Sequence, residues 1–357
     1  MSAALERADV LYDVGRHDQA AALLADHLAT EPDDAAALVL LARCRLRLKD
    51  APGALTTVDQ ALHADPERVS AWLVRTDVLL ALRAYGQAEQ AAYRAVQLAP
   101  HHWGGHLALG TAIDRGGVRA RRPQAYEAAR TAVTLAPEED AAHFLVGITA
   151  QRMGDLKTAQ RAYETALRLN PDSSEAHNNL SLIHMRRRWR PGSWTRAAEG
   201  FVESAALDLE DREARYNLET MAWGTAAGAR WVALAGVVAA TAGSAQLRRG
   251  ADGSSVLMAE AVGALVLAGL WAAWALWMLR RVPPRLRRPM LLVARRCRPA
   301  IAMAVAVALL GLHSLLVVAL PTLSASVVGP VGALLFWTVV ITYWASRAAL
   351  NRRAPKG

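Results

Sequence analysis

Residues Asp140 to Pro171, DAAHFLVGITAQRMGDLKTAQRAYETALRLNP, hold the pattern that decides the fold. Val146, Gly147, Ala150, Ala159, Tyr163 and Ala166 fall where a helix–turn–helix unit of ~34 residues needs small and apolar contacts. Small residues let two antiparallel helices approach closely. Gly154 lies in the turn between them, and Pro171 follows the second helix, which it cannot extend.

The same window fits on both sides. Prolines stand at Pro32, Pro66, Pro100, Pro137 and Pro171, at intervals of 34, 34, 37 and 34 residues. The column of Ala159 holds Ala20, Ala54, Ala88, Ala125 and Ala197, and that of Tyr163 holds Leu24, Val58, Ala92, Ala129 and Phe201. One helix pair cannot bury both of its faces, so such units are stable only when stacked. On these columns the chain resembles a tetratricopeptide-repeat protein over residues 1–222. The resemblance implies an all-α helical solenoid of about six repeats plus a capping helix, filling residues 1–223, with the first helix of each pair lining a groove that takes extended peptides or helices. Extra residues interrupt the turns near GGVRARRP and RRRWRPGS, and Leu209 stands where proline is expected. Abundant alanine and arginine with little lysine point to a high-GC bacterial genome.

Charge divides the chain. Residues 1–228 carry 26 Lys+Arg against 30 Asp+Glu, whereas the remaining 129 carry 15 against 2. That basic excess lies in short segments between four apolar runs, 231–247, 256–278, 300–320 and 327–345, and long apolar runs flanked by arginine mark a membrane protein. The runs form a four-helix transmembrane domain over 231–346, joined to the solenoid by a linker at 224–230 and followed by a basic tail at 347–357. The segment from Leu279 to Pro299 holds eight arginines, which with the tail predicts that this segment and both termini are cytoplasmic, in an inner membrane crossed several times. Short outer loops are expected near Gly250 and Pro321. Trp231, Trp274, Trp277, Tyr343 and Trp344 fall at the cytoplasmic ends as an interfacial belt, and Gly236, Ala240 and Ser244 at four-residue spacing favour close helix packing.

No phosphate-cradling loop, zinc-protease motif, nucleophile elbow or paired CxxC occurs, so neither enzymatic activity nor a cofactor is expected. His106, His143 and His177 share one column below Trp72, but adjacent helices lie ~8–10 Å apart while zinc binds imidazole at ~2 Å, so the column reads as packing and not as a metal site. Cys297, inside ARRCRP, invites a thiol of lowered pKa or an incidental residue. With the basic charge explained by the membrane, nucleic acid is not an expected partner.

The candidate binding residues are two columns on first helices. Arg47, Arg115, Arg152 and Arg186 form one, and Asn179 and Asn217 the other. If the resemblance holds, both face the groove. Amides grip a peptide backbone and guanidinium groups grip carboxylates, so the expected partner is a protein or peptide, acidic and extended. The basic turns carrying Arg115, Arg119, Arg121 and Arg122, and Arg186, Arg187, Arg188 and Arg190, suit contact with anionic lipid or with an acidic protein partner, solvated charge being the alternative to both. Glu260 and His313, the intramembrane polar residues, are candidates for pairing or for an ion path. The chain therefore reads as a membrane-anchored scaffold, with a transporter or channel subunit as the alternative.

Overall fold

The computed structural model describes residues 3–187, 192–208, 212–247, 253–319 and 325–354, except for the side chains of 241–247, 253–257, 259–260 and 325–326. Arg188, Arg190, Leu209, Lys356 and the side chain of Glu260 thus lie outside the described residues, as do the outer loops at Gly250 and Pro321. The chain forms two compact units, Met1–Asp172 and Ser173–Gly357.

The first unit is five antiparallel helix pairs: α1 (Ala3–Asp13) with α2 (His17–Thr30), α3 (Ala35–Arg47) with α4 (Ala51–Ala64), α5 (Val69–Ala81) with α6 (Tyr85–Leu98), α7 (Trp103–Arg115) with α8 (Arg122–Leu135), and α9 (Asp140–Met153) with α10 (Leu156–Leu169). Both sequence columns are its core. Ala20, Ala54, Ala88, Ala125 and Ala159 are fully buried, and so are Leu24, Val58, Ala92, Ala129 and Tyr163. First helices of successive pairs also touch one another, α1 with α3, α3 with α5, α5 with α7 and α7 with α9. Asp34, Asp50 and Asp155 begin helices by accepting backbone amides that have no partner within the first turn.

Each pair reverses through one left-handed residue, and these form a column of their own: Gly15, Lys49, Arg83, Gly117 and Gly154. The three-residue insertion of the fourth repeat follows Gly117 as a 3-10 turn, Arg119–Arg121. At Arg83 (φ 59°) a side chain occupies a conformation that costs an L-residue ~1–2 kcal/mol, against the ~0.5–1 kcal/mol of extra chain entropy that glycine loses. Arg83→Gly is therefore expected to raise stability by ~0.5–1 kcal/mol, read as a higher denaturant midpoint at unchanged slope.

The second unit contains α11 (Ser174–Arg186), α12 (Ser193–Leu207), α13 (Arg212–Leu247), α14 (Gly253–Arg281), α15 (Pro284–Arg296), α16 (Arg298–Ala319) and α17 (Ala325–Asn351). Two features differ from the sequence reading. No linker breaks the chain at 224–230, because α13 runs unbroken for 36 residues. Gly224 and Gly228 weaken that helix by ~1 kcal/mol each, but the alanines around them favour it. Ala227, Ala229 and Ala233 also bury against Met303, Val307 and Leu310 of α16. Second, three helical segments, not four, are long and apolar enough to cross a membrane among the described residues: Ala261–Arg281, Arg298–Ala319 and Val327–Asn351. The segment 231–247 is instead the second half of α13, short for a span and rich in alanine and glycine. At Gly236 an added Cβ would lie 2.7 Å from Leu267, which bears out close packing there.

Candidate functional site

The first helices of the first unit present a polar face built around Tyr12, Arg43, Arg47 and Asp77. Arg43 stacks over the Tyr12 ring at 4.3 Å, and Arg47 donates from Nε to the Tyr12 hydroxyl at 3.1 Å. Asp77 is exposed on this face, and partial loss of its surrounding water pushes its carboxyl up to about 6 against the opposing pull of Arg47 and Arg43. Beside this cluster, a cavity of about 210 Å³ between α1, α3 and α5 is lined by Leu5, Asp9, Val39, Arg43, Arg68 and Ser70. Apolar floor and charged rim together suit a peptide side chain flanked by backbone and carboxylate. Arg43 escapes a one-column reading, although its position four residues before Arg47 puts both on one helix face.

Arg152, central to the expected arginine column, has a different neighbour. Its Nη1 donates at 2.9 Å to both the Oδ1 and the backbone carbonyl of Asp114, whose side chain is 5% exposed. Burial raises the Asp114 carboxyl pKa, and Arg152 and then Arg115 oppose the rise. Arg122 donates to the Arg152 carbonyl at 2.7 Å. Arg152 thus braces α7 against α9, while Arg47, Arg115 and Arg186 remain exposed.

Asn179 and Asn217 do not form a ladder. Asn217 donates to Asn178 Oδ1 at 3.0 Å, the buried Asn178 donates to Glu213 at 3.3 Å, and Asn179 turns back to the carbonyl of Glu175 in its own helix. A one-residue offset between α11 and α13 selects Asn178, and the insertion between these helices hides that offset in the sequence.

The basic turn of the fourth repeat is also partly committed. Arg121 grips both oxygens of Glu89, at 2.6 and 2.5 Å, leaving Arg115 and Arg119 exposed.

The aromatic column caps the repeat junctions. Trp72 Nε1 donates to the Pro66 carbonyl at 2.9 Å, and His106 and His143 make the same contact to Pro100 and Pro137 at 2.8 Å. A carbonyl only accepts, so each of these Nε2 atoms carries the proton. His27, Glu31 and Asp34 come together as well, but Asp34 is occupied in capping α3. Burial pushes the Asp34 carboxyl up, while the bonds from His27, Ala37 and Ala36 outweigh it and hold the pKa below the usual value.

In the second unit the arginine-bearing helix ends meet the last repeat helices. Thr195 donates to the Arg281 carbonyl at 2.9 Å, Trp223 Nε1 to Ser346 at 2.8 Å, and Arg353 pairs with Glu219 at 3.4 Å. Cys297 is buried there against Ala300 and Leu350, and burial pushes its thiol pKa up, contrary to an arginine-activated thiol. His313 in α16 is buried with no hydrogen-bond partner at Nε2 among the described residues, and an added Cβ at Gly332 would lie 2.9 Å from that atom.

Two family models, both described as tetratricopeptide repeat, match residues 11–76 and 146–217. No curated protein matches the chain. Among solved structures, the chain is similar to TTC0263, a thermophilic TPR protein of Thermus thermophilus, at 23% identity over 51% of this chain and 97% of that one, with a TM-score of 0.46. It is similar to YrrB, a TPR protein with an unusual peptide-binding site, at 18% identity over 54% and 95%, with a TM-score of 0.38. Similarity to the Cut9–Hcn1 hetero-tetramer of the APC/C reaches a TM-score of 0.54, at 17% identity over 60% of this chain and 41% of that one. Residues 11–76 and 146–217 thus match tetratricopeptide-repeat models, and apolar helices of membrane-spanning length follow them.

Proposed function

We propose that the chain is a membrane-anchored protein-interaction scaffold that captures a partner polypeptide on the first-helix face of its repeats. The observation that carries this reading is the cluster of Arg43, Arg47 and Asp77 beside the apolar-floored cavity between α1, α3 and α5. The partner is an extended segment bearing a carboxylate, held by Arg47 and by the further exposed column member Arg115. Arg152 acts indirectly, by fixing α7 and α9.

The anchor lies in a cytoplasmic membrane. Arginine-rich ends stay on the cytoplasmic side. In the second unit those ends of α14 and α17 contact α12 and α13, which supports placing the last repeat helices on the same side. The scaffold reading includes no catalytic step and no nucleic acid.

A photo-crosslinking residue at exposed Ser70, in intact cells, tests the groove against one at exposed Glu127 on α8. Capture of a defined partner from Ser70 and not from Glu127 is expected. Arg47→Glu should weaken that capture about tenfold, the worth of a charge-assisted bond, in a salt-sensitive way. Equal capture from both positions would remove the groove from the mechanism.

A second reading, a transporter or channel subunit regulated by the repeats, is favoured by one observation, that the Nε2 of buried His313 has no hydrogen-bond partner among the described residues. Solute flux in reconstituted vesicles that is lost in His313→Ala would support it.

A further inference from the structure

We infer that α15 is an interfacial helix that binds the anionic headgroups of the bilayer surface through Arg288, Arg295 and Arg296, with Leu291 and Leu292 entering the acyl boundary between them. The inference rests on the membrane reading of α14 and α16 given above. The segment reads in sequence as a basic loop, yet it folds into a 13-residue helix, about 20 Å long.

One face of α15 is occupied. Leu286 and Met290 are buried, with Val282, against Trp194, Phe201, Leu218 and Met221 of α12 and α13. Arg285 pairs with Glu199, while Arg287 donates to the carbonyls of Val282 and Leu279 at the end of α14. The opposite face is open. Positions 288, 291, 292, 295 and 296 recur at the three- and four-residue spacing that gathers them on one side of a helix. Leu291 is 52% and Leu292 61% exposed, and the three arginines are exposed beside them.

Connectivity and charge identify the occupant of that face. Only two residues separate α15 from α14, and one separates it from α16, so its ends are held where two apolar helices finish. Repeat helices cover its inner face. Exposed apolar residues lie on both flanking helices, Leu276 and Leu279 before it and Ile301 and Val305 after it. A paired leucine ridge bordered by arginine is the pattern of a helix lying in a bilayer interface, where apolar burial and attraction to anionic lipid act together. An acidic protein would satisfy the arginines but not the continuity of apolar surface from span to helix to span.

The test uses the full chain with Leu292→Cys in a Cys44→Ser background, labelled with an environment-sensitive fluorophore; Cys297 is fully buried. The protein is placed in phosphatidylcholine nanodiscs with rising fractions of phosphatidylglycerol. The expected result is a blue shift that grows with phosphatidylglycerol. Arg288→Gln with Arg295→Gln and Arg296→Gln should weaken the response at least tenfold, within the roughly hundredfold that three surface arginines supply. The three Arg→Lys replacements, which keep the charge, should retain the response and serve as the folded reference. Emission unchanged across all lipid compositions would overturn the inference, as would a response equal in the glutamine variant. A shift produced by polyglutamate in the absence of phosphatidylglycerol would make this face a protein-docking surface instead. Failure to enter nanodiscs at all would overturn the membrane reading itself, a result separate from loss of partner capture at Ser70.

Discussion

Gly147→Ala is expected to lower the stability of the repeats by ~2 kcal/mol, although alanine is the better helix former. The added Cβ would lie 2.6 Å from Cδ1 of Tyr163 and closer still to its Cε1. That ring is fully buried, tilted against Phe144 with centroids 5.6 Å apart, and its hydroxyl lies 3.2 Å from Gln151 Oε1. It has nowhere to turn. Overpacking of this kind costs ~1–3 kcal/mol, occasionally more, and the ~1 kcal/mol gain in helix propensity offsets only part of a cost at the upper end.

The other repeats show how the clash is relieved. The position of Gly147 is Ala8 in the first repeat and Ala42 in the second, and the position of Tyr163 is there Leu24 and Val58, all of them buried. Where the first helix carries a methyl group, the second helix carries a smaller side chain. Gly147→Ala combined with Tyr163→Leu should therefore be more stable than the sum of the single changes predicts, by ~1 kcal/mol or more in a double-mutant cycle. Strict additivity in thermal or urea unfolding would show that the two residues do not share one space.

Arg152→Ala is expected to cost ~2–3 kcal/mol at neutral pH, even though its side chain is 41% exposed. The cost arises at Asp114. Removing the guanidinium leaves a buried carboxylate without its counter-charge, which is worth ~3–5 kcal/mol in a fully buried pair and less here because one partner reaches solvent. The pH dependence has a definite sign. Asp114 has a folded pKa raised by burial, and loss of Arg152 raises it further. A carboxyl raised in the folded state binds its proton more readily there than in the unfolded chain, so the destabilisation is full above the folded pKa and fades as pH falls toward the unfolded value near ~3.9. The deficit of Arg152→Ala should accordingly shrink between pH 7 and pH 4, and Asp114→Asn should relieve it at pH 7. A deficit independent of pH would mean that Arg152 acts through packing of its aliphatic stem. This coupling also limits what charge reversal at Arg152 reports, since weakened partner capture there would follow from a damaged fold. Arg47, exposed and bonded to Tyr12, is the cleaner probe of the groove.

What the sequence by itself determined is the repeat. Burial recurs at ~34-residue intervals because every pair solves the same packing problem against its neighbours. The alanine column, the Tyr163 column and the reversal at Gly154 are all found where the pattern puts them. The apolar stretches after residue 255 were likewise legible, since length and hydropathy are properties of a segment alone. Tertiary structure alone decided which charges are spoken for. A column fixes the helix face of Arg152, but its partner Asp114 lies 38 residues away across an interface whose register includes the insertion after Gly117. The same holds for Asn217, which meets Asn178 and not Asn179 because the helices are offset by one residue. The length of α13 and the helicity of 284–296 were also hidden, because glycines and a run of arginines with Pro289 read locally as linker and loop. Burial of Ala227 and Ala233 against α16, and of Leu286 and Met290 against the last repeat helices, supplies the energy that local propensity lacks.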